Sequence, residues 1–168
     1  MHALDILRDG FGRVAEELPT SIEGLSARQL LWQPAPEANH IAWLAWHIGR
    51  CEDAQMAPIG KRPQVYSQSG WEERFALPYE PGAMGYGQTA EQVRAFCLDD
   101  PALLSDYYDA VHQATLQILD GLSDDDLDAV LDDPFKVTAE VRLVSVVNDI
   151  TQHLGQIGYL RGLLENKS

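Results

Sequence analysis

The chain has 168 residues, enough for one domain with a sizeable core, and its 45% hydrophobic and 23% charged residues are ordinary for a globular protein. Twelve Lys and Arg against twenty-six Asp and Glu give a net charge of −14, which repels nucleic-acid phosphates and anionic lipid surfaces and argues against both as partners. Cys51 and Cys97 are too few and too far apart for a secreted disulfide scaffold. The N-terminus shows no basic leader, and no run approaches about 18 apolar residues, so a cytoplasmic protein without a membrane span is expected.

Leu4, Leu7, Phe11, Val14 and Leu18 recur at helical spacing and predict a first helix over 3–18. Pro19 and Thr20 suggest a bend or restart, followed by a short helical piece over 22–25 and a turn over 27–31 capped by Ser26. Pro34 and Pro36 break the chain. Asn39 is the expected cap of a second long helix, which carries His40, Trp43, Leu44, His47, Ile48 and Cys51 on one side and ends near Pro58.

From 58 to 88 no helical period survives. Four prolines and five glycines alternate there with Tyr66, Trp71, Phe75, Tyr79 and Tyr86. A loop of that length is commonly functional or disordered, and its aromatics argue against disorder. It reads equally well as a packed cover over the end of a bundle and as a substrate lid. Thr89 then caps another helical stretch, interrupted at 99–101, whose main part over 102–122 spaces Leu104, Tyr108, Val111, Thr115, Ile118 and Leu122 helically. The acidic run 124–133 lacks the glycine and glutamate spacing of a calcium loop and reads as a solvated short helix. A connector over 133–138 leads into the last helix.

That last run, 141–161 and beyond, is the most informative. At about 100° per residue, Val146, Asp149, Ile150, His153, Ile157, Leu160 and Leu164 share one stripe. Most of it is aliphatic, so it faces the core, with Asp149 and His153 one above the other in its middle. Burying an ionised carboxylate beside an imidazole is unfavourable unless a partner compensates both. A metal ion is one such partner; a plain His–Asp hydrogen bond in the core is the other. Four long helices with little strand signal predict an all-α fold, a four-helix bundle in a single domain over 1–168 with a long Pro/Gly/aromatic loop between its second and third helices.

His47, Asp149 and His153 form the candidate metal set. Two histidines and one carboxylate leave coordination positions open, as a catalytic site requires. Zinc suits this donor set best, and nickel, iron(II) and manganese also fit it. Candidate neighbours of the site are His40, Cys51, Gln156, Arg161 and Trp71, with Arg161 read either as the fixed cation that an acidic substrate would need or as a salt-bridge partner of the acidic surface. Gly155, Gly158 and Gly162 cluster on the opposite face of the last helix and allow close approach of a neighbouring helix or a second subunit.

The phrases Asn39-His-Ile-Ala-Trp-Leu-Ala-Trp-His47-Ile and Asn148-Asp-Ile-Thr-Gln-His153-Leu-Gly-Gln-Ile-Gly-Tyr-Leu-Arg161 closely resemble the DinB-like family. Trp71-Glu-Glu-Arg-Phe-Ala-Leu-Pro78 and Asp106-Tyr-Tyr-Asp-Ala-Val resemble the branch containing mycothiol-dependent transferases and maleylpyruvate isomerase. The resemblance implies a four-helix bundle binding one divalent metal through His47, Asp149 and His153, and often a homodimer. The carboxylate at Asp149, where many relatives place a histidine, points to the thiol-dependent branch. The implied activity is a metal-dependent transferase or isomerase in which a low-molecular-weight thiol, mycothiol or bacillithiol, attacks an electrophilic substrate. Alternatives on the same site are a metal-dependent hydrolase and a non-catalytic metal-binding stress protein.

Overall fold

In the computed structural model, four long helices carry the architecture: α1 (Ala3–Ile22), α3 (Ile41–Ile59), α7 (Ala102–Asp120) and α8 (Ala139–Glu165). Short helices punctuate the connections: α2 (Ala27–Leu30), α4 (Val65–Gln68), α5 (Trp71–Phe75) and α6 (Ala90–Arg94), with a 3₁₀ turn at Asp124–Asp128. The structure describes residues 2–166; Met1, Lys167 and Ser168, the ends of the domain expected over 1–168, lie outside them. Among the described residues, β structure is limited to one antiparallel bridge between Val130 and Thr138. Both α1 and α3 pack against α7 and α8, which closes a four-helix bundle.

The helix boundaries correct three expectations. First, α1 runs through Pro19 to Ile22 without a bend or a separate piece over 22–25. A proline removes one N–H and crowds one carbonyl, but Leu18 and Ile22 lie on the same buried face, and their packing outweighs that loss. Second, the cap of α3 is His40 and not Asn39: His40 Nδ1 accepts from the Trp43 N–H at 3.0 Å. The ring's Nε2 donates to the Val93 carbonyl at 3.1 Å, and burial pushes the imidazole down to about 4, so it stays in the neutral form that can cap. Third, the loop over 58–88 holds the last residues of α3 and two single-turn helices, α4 and α5. One turn is too short to show a period.

The central helix is α3. Every residue from Ile41 to Asp53 is buried, charged ones included. Its closest approach is to α7: a Cβ on Gly49 would stand 2.7 Å from the Tyr107 ring. Buried charges need partners. Arg50 donates to the carbonyls of Ala83 (3.0 Å) and Gly82 (3.3 Å), to Gln64 Oε1 (2.9 Å), to Asp53 (3.3 Å) and to the Tyr107 hydroxyl (3.3 Å), and lies over the Tyr66 ring. Asp53 accepts from the Val65 and Tyr66 N–H groups, both at 2.8 Å, and so caps α4.

Glu52, on the α7 side, is less well served. Tyr108 donates to its Oε2 at 2.8 Å, while Oε1 has no hydrogen-bond partner among the described residues, and His112 Nδ1 stands 4.0 Å away. Burial pushes the Glu52 carboxyl up to about 7, against the hydrogen bonds that favour its ionised form. A folded-state pKa above the unfolded value stabilises the protein fully below pH 4.5, and that contribution is lost as pH rises to about 7. Glu52→Gln removes the titration. Its stability relative to wild type is expected to improve by roughly 3 kcal/mol between pH 4.5 and 8, read by urea unfolding at both pH values. A constant difference across that range would show that Glu52 does not titrate there.

Candidate metal centre

The site forms where α3 crosses α8. Asp149 Oδ2 lies 3.7 Å from His47 Nε2, and Asp149 Oδ1 lies 3.7 Å from His153 Nε2. The rings of His47 and His153 meet edge to face with centroids 4.7 Å apart. One donor atom from each of the three residues falls within 4.8 Å of the others.

The remaining ring nitrogens fix the chemistry. His47 Nδ1 donates to the Met84 carbonyl, which can only accept, and His153 Nδ1 donates to Gln156 Oε1 at 2.9 Å. In a neutral imidazole, the proton on Nδ1 leaves a lone pair on Nε2. With Nδ1 as the donor on each neutral ring, both Nε2 atoms would turn a lone pair toward the Asp149 carboxylate. At 3.7 Å these contacts are too long for hydrogen bonds, and Asp149 Oδ2 is buried without a hydrogen-bond partner among the described residues. A plain His–Asp core contact would place a proton between the groups. This arrangement leaves room for a cation, and it fits a divalent metal. Burial pushes the His47 imidazole down and outweighs the pull of Asp149, which keeps it in the ligating form.

The loop over 82–88 holds His47 in this orientation. Trp43 stacks on the His47 ring at 4.9 Å, and its Nε1 donates to Gln88 Oε1 at 2.7 Å. Gly85 has φ +94°, and a Cβ there would stand 2.7 Å from His47 Nδ1 and 2.8 Å from the Trp43 ring. Only glycine lets the loop lie this close. These residues act as the packed cover; Met84, Gly85, Gln88 and Arg50 are the supports that sequence reasoning missed. A glycine inside an aromatic-rich loop was the one available signal.

The other candidates fall into place by their partners. Gln156 orients His153. Cys51 is buried beside Asp149 and accepts from Gln55 Nε2 at 3.6 Å; burial and the Asp149 charge push its thiol well up. His40 is the α3 cap, with both nitrogens engaged. Of the two readings of Arg161, the structure places it in a salt bridge and not free for a substrate. Its Nη1 caps the end of α1 through the carbonyls of Thr20, Ser21 and Glu23 at 3.0–3.1 Å, and its Nε pairs with Glu165. Trp71 likewise belongs to packing, buried against Tyr107 with Arg74 over its ring. A Cβ on Gly155, Gly158 or Gly162 would meet nothing within 4 Å, so these glycines serve no close helix approach inside the bundle.

Fold and site together define a helical bundle with a three-residue set that could hold a metal ion, contributed by its second and fourth long helices. The DinB superfamily profile matches residues 11–157, and the chain belongs to that superfamily. A crystal structure described as the conserved protein of locus from Enterococcus faecalis is similar at a TM-score of 0.90 and 27% identity, covering 99% of each chain. Comparison with curated proteins finds no match. No helix among the described residues is long and apolar enough to cross a membrane.

The glycine pair Gly85 and Gly87 offers an internal control. Both have positive φ, but a Cβ on Gly87 meets nothing within 4 Å. Gly85→Ala is expected to weaken zinc binding by about 10–100-fold, as loss of a hydrogen bond supporting a ligand does, while Gly87→Ala leaves it near wild type. Chelator competition on both variants reads the difference, and equal losses would trace the effect to backbone strain alone.

Proposed function

We infer that the protein is a metal-dependent transferase or isomerase using a low-molecular-weight thiol, of the mycothiol or bacillithiol kind, as nucleophile or cofactor. The observation that carries this reading is the convergence of His47 Nε2, His153 Nε2 and the Asp149 carboxylate with no hydrogen bond between them. Zinc suits two imidazoles and one carboxylate, and nickel, iron(II) or manganese take the same donors. A divalent ion held there would lower the pKa of a thiol brought to it and so supply thiolate at neutral pH.

The chain's own groups support that chemistry in three ways. One carboxylate against two positive charges leaves the centre electropositive, which favours an anionic sulfur. Gln156 and the Met84 carbonyl aim the two imidazoles, and burial favours the neutral form of His47. Burial holds the Cys51 thiol well up, which favours a reacting sulfur brought by a co-substrate over this buried one. The thiol itself is supported by the resemblance of the 71–78 and 106–111 stretches to the mycothiol-dependent branch and by a carboxylate at position 149.

Elemental analysis of untagged protein is expected to find near one divalent ion per chain in wild type and almost none in His153→Ala or Asp149→Asn. Zinc-loaded enzyme should consume 1-chloro-2,4-dinitrobenzene only when mycothiol or bacillithiol is supplied. Ester or amide cleavage without thiol would select the hydrolase. A folded wild type that refuses zinc, nickel and iron overturns the metal reading altogether.

A further inference from the structure

A cavity of about 370 Å³ lies beside the metal set, in the groove between α3 and α8, and no residue of the candidate centre lines it. Its walls are apolar: Ala54, Pro58, Met84, Leu131 and Pro134. Two aromatic side chains stand at its edge, Tyr86 from the loop after α5 and Phe135 from the connector before α8. They are 91% and 74% exposed, large apolar rings left open to solvent, with the Arg142 guanidinium 5.3 Å from the Phe135 centroid. Its remaining polar lining is Gln55, Asp133 and Arg142.

Three connections tie this cavity to the site. Met84 lines it while its carbonyl accepts from His47. Gln55 lines it while its amide donates to Cys51, which adjoins Asp149. Arg142 precedes Asp149 by seven residues on the same helix, about 10 Å along the axis. A molecule whose reacting and non-reacting ends are about 10 Å apart has the length to span the two.

The lining charge selects the tail. Arg142 is matched by Asp133 at 2.5 Å and also donates to Gln55 Oε1. Asp133 in turn accepts the N–H groups of Phe135 at 2.8 Å and Lys136 at 2.9 Å, and these bonds with Arg142 hold its carboxyl below the usual range despite some burial. The pair is thus electrically closed and anchors the connector to α8. It offers no free cation to an acid. We propose that this cavity binds a neutral aromatic group, the non-reacting part of the electrophilic substrate. The substrate assignment rests on the function inferred above, whereas the cavity's preference for a neutral ring does not.

The test uses full-length protein and prodan, a neutral naphthalene dye whose emission shifts on leaving water, beside the anionic dye 1-anilinonaphthalene-8-sulfonate. Wild type should bind one prodan per chain, with or without zinc, and more tightly than the sulfonate. Ala54→Trp fills the cavity and should weaken prodan at least tenfold. Phe135→Ala, at an exposed position that does not threaten folding, should weaken it several-fold. Unchanged prodan affinity in both variants, or tighter binding of the sulfonate, overturns the proposal. In the thiol assay, Ala54→Trp should raise KM for 1-chloro-2,4-dinitrobenzene while metal content stays at the wild-type level. An unchanged KM removes the substrate assignment, and no turnover in wild type removes the function reading; the dye result stands apart from both.

Discussion

The arrangement of the site depends on a guanidinium that has no access to water. Arg50 sits in the middle of α3 at 0% exposure, and its donors reach oxygens on four parts of the chain: Asp53, Gln64, Gly82 with Ala83, and Tyr107. Two of them are carbonyls of the cover loop, Gly82 and Ala83. The next carbonyl along, that of Met84, accepts from His47. A buried charge tolerates no loss of partners, since breaking one such pairing costs about 3–5 kcal/mol. The loop is therefore held by an electrostatic demand that originates on α3 itself, one turn from the metal ligand it serves. In this way a segment rich in proline and glycine acquires one defined path over the site, and the tautomer of His47 follows from that path.

His40 and His47 show how much such local bonding decides. They stand two turns apart on one face of the same helix, both buried, both pushed toward the neutral form by that burial. At His40 the Nδ1 lone pair accepts from a backbone N–H and Nε2 carries the proton to Val93. No lone pair is left to ligate. At His47 the backbone presents an acceptor to Nδ1 instead, so the proton sits there and Nε2 is left open toward Asp149. The helix start supplies free N–H groups and the cover loop supplies a free carbonyl. Position relative to those backbone groups, and not residue type, separates a capping histidine from a ligating one.

The same distinction explains what was legible in the sequence. Periodicity over α8 is long enough to bring Asp149 and His153 close to one another, although both stand half-buried at the edge of the buried stripe and not in its middle, and the apolar run of α3 places His47 inside. The all-helical bundle follows from four such runs. What the sequence concealed are features decided by one or two hydrogen bonds: the cap at His40 instead of Asn39, the survival of α1 past Pro19, and the single turns α4 and α5. Arg161 looked available because its partners are backbone carbonyls at the end of α1, more than 130 residues earlier, and carbonyl groups leave no trace in a side-chain pattern. Arg50 was hidden for the converse reason. An arginine among apolar residues marks burial only when the oxygens that receive it are known.

Those buried polar groups also divide the labour of α3 around its circumference. Arg50 and Asp53 organise the cover loop and α4, Glu52 faces Tyr108 and His112 on α7, and His47 with Cys51 faces α8. At about 100° per residue, Glu52 lies some 140° around the helix from His47. The carboxyl whose pKa burial raises is thus turned away from the candidate metal set, and the carboxylate that belongs to the set comes from α8. In a chain with a net charge of −14, a second acid facing the same ion would reduce its positive charge to zero and with it the attraction for an anionic sulfur. Keeping Asp149 as the single carboxylate of the set preserves the electropositive character on which thiol chemistry there would depend.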